Sequence, residues 1–231
     1  MKLLGKSKDV MVLDVDGTVL DLMARYWSIL NATVKEFGLP LAPALEYRKG
    51  HYNGTHRGNP RLGALFKELW PKELADESKL DRFRWRFRAK EEEVGYPLVL
   101  GARKSIEAFR RAGAKVALCT MSDEQSIAWK LAVVDLKRDQ DVDLVVTRES
   151  TGYEKPDPRI LDPVWREFNV GPERAEYVGD WYVDREVALN AGVDFDAVLS
   201  GGVPRWKFIE EGVPSDRIFA RLWNIAERIE S

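Results

Sequence analysis

Five short apolar runs constrain this chain more than any other feature, each closing on a polar residue or a turn. They are Val10–Leu13, Lys115–Cys119, Asp143–Val146, Ala175–Val178 and Asp196–Leu199. Unbroken runs of this length read as strands covered on both faces, the habit of a parallel sheet. Helical spacing lies between most of them. Ile106 and Phe109 stand three apart ahead of Gly113, a candidate C-cap. Ile127, Leu131 and Val134 follow the i, i+4, i+7 rule after Ser122 and Asp123, either of which suits an N-cap. Val164 and Phe168 precede Gly171-Pro172, and Gly192 closes a short helix over Arg185–Ala191. Strands alternating with helices predict an α/β fold built on a doubly wound parallel sheet. A further strand is expected at Arg217–Ala220, followed by a C-terminal helix through Trp223 and Ile229.

The alternation is interrupted once. Residues 20–98 carry no convincing strand but three helical faces: Leu22 to Phe37, Leu62 to Leu69, and Leu80, Phe83 and Phe87. Phe83–Phe87 also alternates with period two. An insert this long predicts a separate all-α domain over 20–98, set into a core of 1–19 and 99–231. Arg82, Arg84, Arg86 and Arg88 are expected on a solvated helix face paired with Glu91–Glu93, and the eight tryptophans mostly in the core.

Composition narrows the partners. Lys and Arg number 36 against 38 Asp and Glu, a net charge of −2, so nothing electrostatic favours nucleic acid. The single Cys excludes an intrachain disulfide and suits a reducing compartment. No apolar run approaches the roughly 20 residues of a membrane span. Val10–Val15 is short and broken by Asp14, a poor signal peptide. A cytoplasmic protein without membrane contact is expected; the sequence leaves its oligomeric state open.

In open α/β sheets the active site lies at the carboxyl ends of the strands. The first run leads into Asp14-Val15-Asp16-Gly17-Thr18, the second into Thr120-Met121-Ser122-Asp123. The third leads to Gly152-Tyr153-Glu154-Lys155-Pro156-Asp157-Pro158, the fourth to Gly179-Asp180-Trp181-Tyr182-Val183-Asp184. A carboxylate at a buried strand tip is costly unless neutralised. Asp14, Asp16 and Asp180 form an oxygen-only set suited to Mg²⁺. Lys155 adds a positive charge and Thr120 a hydrogen bond for a phosphate. These parts suit phosphoryl transfer with a carboxylate nucleophile.

The four segments resemble, in order and in topological position, the four motifs of the haloacid dehalogenase (HAD) superfamily. The resemblance covers the core and the position of the insert, which matches a C1-type helical cap. It implies an HAD-like Rossmann-type core and a Mg²⁺-dependent phosphatase acting on a small phosphorylated metabolite through an aspartyl-phosphate. Asp14 would be the nucleophile, and Asp16 the acid and then the base. Thr120 and Lys155 would hold the phosphoryl group. Asp180 would bind Mg²⁺ with the Asp14 carboxylate and the Asp16 carbonyl, and Asp184 would bind the ion or orient its waters. The family's true dehalogenases need no acid at the position of Asp16, so its presence favours phosphate chemistry. Trp181 departs from the pattern, which often has a small Ser there. A phosphomutase of the same superfamily and a non-catalytic binding protein of this fold are the alternatives.

Ser122 is a candidate for substrate contact as well as for a helix cap. In the cap, His51, Asn53, His56 and Arg57 of a Gly-rich loop are candidates for substrate contact, against an ordinary solvated connection. Cys119 is expected to be a buried small hydrophobe turned away from the site, because it precedes Thr120.

Overall fold

The computed structural model describes residues 1–23, 25–41 and 62–230. The chain divides into two compact units, Met1–Leu22 with Pro97–Ser231, and Met23–Tyr96.

The larger unit is built on a six-stranded parallel sheet. Its strands are β3 (Val10–Leu13), β4 (Lys115–Thr120), β5 (Leu144–Thr147), β6 (Ala175–Gly179), β7 (Asp194–Val198) and β8 (Ile218–Phe219), in the order β5-β4-β3-β6-β7-β8. Every residue of the central β3 is buried, which is why its sequence is apolar without alternation. The α/β expectation is borne out, with strand ends displaced by up to two residues. Leu199 leaves the sheet into a 3₁₀ turn, Leu199–Gly201.

The helices of this unit are α4 (Ala102–Arg111), α5 (Glu124–Val133), α6 (Arg148–Thr151), α7 (Asp162–Phe168), α8 (Tyr182–Ala191), α9 (Arg205–Glu210) and α10 (Leu222–Ala226). Asp123, not Ser122, caps α5: its carboxylate accepts from the Ser126 amide at 2.7 Å. Helix α8 starts at Tyr182, three residues before the expected Arg185, so Asp184 lies in its first turn.

Ile229 corrects the reading of the C-terminus. The helix stops at Ala226, and Ile229–Glu230 forms β9, antiparallel to β1 (Lys2–Leu3), which also pairs with β2 (Lys6–Ser7). Two-residue strands carry no detectable period, and their pairing depends on the chain ends meeting.

The smaller unit holds α1 (Tyr26–Glu36), α2 (Leu62–Leu69) and α3 (Glu77–Val94). The Phe83–Phe87 stretch is helical, because Leu80, Phe83 and Phe87 share a buried face at i, i+3, i+7. Phe83 meets Phe37, Phe66 and Trp70, and Phe87 meets Tyr26 and Phe66, at centroid distances of 4.9–5.8 Å. Arg86 reaches Glu93 but also Glu36 across α1, and Arg84 pairs with Asp81. The tryptophans correct the composition argument: only Trp70 is buried, and Trp85, Trp206 and Trp223 are exposed.

Candidate active site

Strand register brings the first and fourth motifs side by side. Leu13 pairs with Val178, and the next amide along, that of Asp14, donates to the Val178 carbonyl at 2.9 Å. Asp14 and Asp180 therefore leave adjacent parallel strands at the same end. Gly17, at φ +99°, turns the chain back so that the Leu20 amide reaches the Val15 carbonyl. A Cβ on Gly17 would stand 2.3 Å from Asp180 Oδ2.

Lys155 ties the cluster together. Its ammonium donates to Asp14 Oδ1 at 2.6 Å and to Asp184 Oδ1 at 2.7 Å, all three residues being buried. The buried Tyr177 hydroxyl donates to the same Asp184 oxygen at 3.1 Å, and the Trp181 amide donates to Oδ2 at 3.0 Å. Asp180 Oδ1 accepts from the Thr18 hydroxyl at 2.9 Å. Thr120 ends β4, buried, and accepts from the Ser122 amide at 3.1 Å.

Burial pushes the Asp14 carboxyl up to about 7, with the Asp184 charge adding to it and Lys155 opposing. Burial, with Asp14 and Asp184 nearby, also lifts Asp180 well above the carboxylate range. Burial alone would lower Lys155, but the two carboxylates beside it hold it well above its ordinary value. Ionised together, three carboxylates against one ammonium would leave an excess of negative charge. One oxygen from each of Asp14, Asp180 and Asp184 lies within 4.8 Å of the others. Hard oxygen donors, buried and short of positive charge, fit a divalent cation such as Mg²⁺.

Asp16 does not turn into that cluster. Its carboxylate is held by Lys130 at 2.6 and 2.8 Å and by the Ser122 hydroxyl at 3.3 Å. Asp14, Asp180, Asp184 and Lys155 thus meet directly, and Asp16 and Ser122 meet beside them. His51, Asn53, His56 and Arg57 lie outside the described residues.

The family model of the haloacid dehalogenase-like hydrolases matches residues 11–198. The chain belongs to this family. A phosphorylated carbohydrates phosphatase of Thermotoga maritima is 25% identical over 189 residues, covering 80% of this chain and 82% of its own. A phosphoglycolate phosphatase of Pseudomonas savastanoi pv. phaseolicola is 28% identical over 203 residues, covering 85% and 71%. The crystal structure of an HAD family hydrolase from Deinococcus radiodurans, with bound phosphate and sodium, superposes with a TM-score of 0.73 at 18% identity, covering 94% of this chain and 93% of its own. These likenesses agree with the fold of the larger unit.

Three residues of this HAD site escaped sequence reasoning: Thr18, Lys130 and Tyr177. Thr18 was readable only as part of a turn. Tyr177 sits inside an apolar run, where its ring hides its hydroxyl. Lys130 left a weak trace: it follows the buried Ile127 by three and precedes the buried Leu131, so it flanks the inward stripe of α5. Cys119 is buried in the core as expected, but it is not turned away from the site. Its side chain lies on the face of Val12 and Tyr177, near enough for the Lys155 charge to act on it, and burial pushes its thiol up to about 11.

Proposed function

We propose that this chain is a Mg²⁺-dependent phosphatase that hydrolyses small phosphorylated metabolites through an aspartyl-phosphate on Asp14. The observation that carries the reading is the buried Asp14–Asp180–Asp184 cluster bound to Lys155, with Asp16 two residues beyond the nucleophile. Names of relatives, a phosphorylated carbohydrates phosphatase and a phosphoglycolate phosphatase, support the substrate class.

Asp14 attacks phosphorus, and Asp16 protonates the departing alkoxide. Asp16 then takes a proton from the water that releases phosphate. Thr120 and Lys155 hold the phosphoryl oxygens, and Lys155 keeps Asp14 and Asp184 aimed at one point. Asp14, Asp180, Asp184 and the Asp16 carbonyl would hold Mg²⁺, which supplies positive charge to the phosphoryl oxygens in the transition state. Substrate selection is assigned to the insert, residues 20–98, with His51, Asn53, His56 and Arg57 as the candidate determinants.

Free phosphate release from a panel of phosphorylated metabolites tests this reading. Turnover should vanish in EDTA and return with Mg²⁺. Release of phosphate at full rate in the chelator, or no release from any ester, would overturn the proposal.

A further inference from the structure

Both oxygens of the Asp16 carboxylate are taken by a side chain outside all four motifs. Lys130 Nζ lies 2.8 Å from Oδ1 and 2.6 Å from Oδ2, and donates to Ser122 Oγ at 3.0 Å. Side-chain exposure is 13% for Lys130 and 28% for Asp16, so water screens this pair less than a surface pair. Helix α5 fixes the lysine, because Ile127 and Leu131 on either side of it are buried. Among the described residues, the carboxylates of Asp14, Asp180 and Asp184 converge on one another instead.

We infer that Lys130 is a positioning residue for Asp16 and serves the hydrolytic half of the reaction. The inference rests on the roles proposed above for Asp14 and Asp16. In the first half an Asp14 oxygen bonds to phosphorus, the bond from phosphorus to the alcohol oxygen breaks, and the Asp16 proton goes to that oxygen. Asp16 is left an anion. In the second half water attacks phosphorus, the bond to Asp14 breaks, Asp14 leaves as a carboxylate, and a water proton passes to Asp16. In the structure both Asp16 oxygens accept from Lys130, and accepting is what the carboxylate does in that second half. Lys130 pins the anion while water lines up, and each carboxylate oxygen keeps a further lone pair for that proton.

The test uses the full chain with Mg²⁺ and p-nitrophenyl phosphate, whose leaving group departs without protonation. Lys130→Met should lower kcat by at least about tenfold, part of what a positioned base contributes. It should leave kcat/KM within about twofold and give a burst of p-nitrophenolate as phosphoenzyme accumulates. Lys130→Arg, which can grip both oxygens, should recover most of the loss. In an Asp16→Asn background Lys130→Met should have no further effect. Circular dichroism checks the fold, and Lys130→Gln serves as a second neutral variant. A parallel fall in kcat and kcat/KM without a burst, or an equal cost in the Asp16→Asn background, overturns the positioning role. Unchanged kcat in Lys130→Met beside a crippled Asp16→Asn overturns it too. If Asp16→Asn itself keeps its kcat, the failure belongs to the proposed role of Asp16.

Discussion

Asp194 shows how a single carboxylate couples this fold to pH. Burial pushes it up, but the ammonium groups of Lys6 and Lys8 outweigh burial and bring it down to about 2. Lys6 lies 2.7 and 2.8 Å from it, and the fully buried Lys8 2.7 Å. An unfolded Asp titrates near 3.9. Between those values the unfolded chain holds more protons, so stability rises with pH across the window and is fully present above it. Asp194→Asn should cost about 1–2 kcal/mol at pH 7 after allowing for partial exposure. The gap should be roughly halved near pH 3. Urea unfolding at the two pH values measures it, and an equal gap at both would sink the account. At the site, Asp14→Asn removes the proposed nucleophile while keeping its shape. Turnover should fall by at least about 10³-fold, since the covalent route disappears. Substantial phosphate release from purified Asp14→Asn, with deamidation excluded by mass spectrometry, would contradict the assignment.

Elements place these residues, and the closest fit is between β6 and the turn after β7. Asp180 follows Gly179 at the end of β6, and Gly201 packs its backbone against that carboxylate. A Cβ on Gly201 would stand 1.6 Å from Asp180 Oδ2, so Gly201→Ala must move Asp180 or its own turn. The carboxylate cluster does not tolerate displacement well. Gly201→Ala should therefore raise the Mg²⁺ concentration needed for half-maximal activity by at least about tenfold, with little change in circular dichroism. A Mg²⁺ titration matching wild type would show that the turn, not Asp180, had given way. Element identity was plain from spacing wherever a run was long. The apolar β3 and the stripe of α5 read correctly. The start of α8 did not, because Tyr182 and Val183 resemble a continuation of the motif loop before the helix begins.

Across the whole molecule, the insertion points of the smaller unit are sewn together within the larger one. The Asp21 amide donates to the Pro97 carbonyl at 2.8 Å, and the Val99 amide to the Val19 carbonyl at 2.9 Å, around a Leu20–Leu98 bridge. Closing so short a gap costs little loop entropy. Replacing residues 23–96 with a short Gly-Ser linker should therefore leave the larger unit folded, with cooperative thermal unfolding by circular dichroism. Loss of that cooperative transition would mean the larger unit depends on the insert for its core.

The sequence alone determined the α/β alternation, the helices described within the insert and the four strand-end motifs, because each is a local pattern of a few consecutive side chains. Family membership followed from the same patterns. Only tertiary structure decided which carboxylates converge. Asp14 and Asp16 are two residues apart, yet Asp14 joins Asp180 and Asp184 while Asp16 turns to Lys130, 114 positions on. Nor could local pattern show that β9 closes on β1, or that Tyr177 sends its hydroxyl to Asp184. Hydrogen bonds and ion pairs between distant segments depend on how strands line up in register and how the chain turns at glycines. That geometry is fixed only when the whole sheet packs.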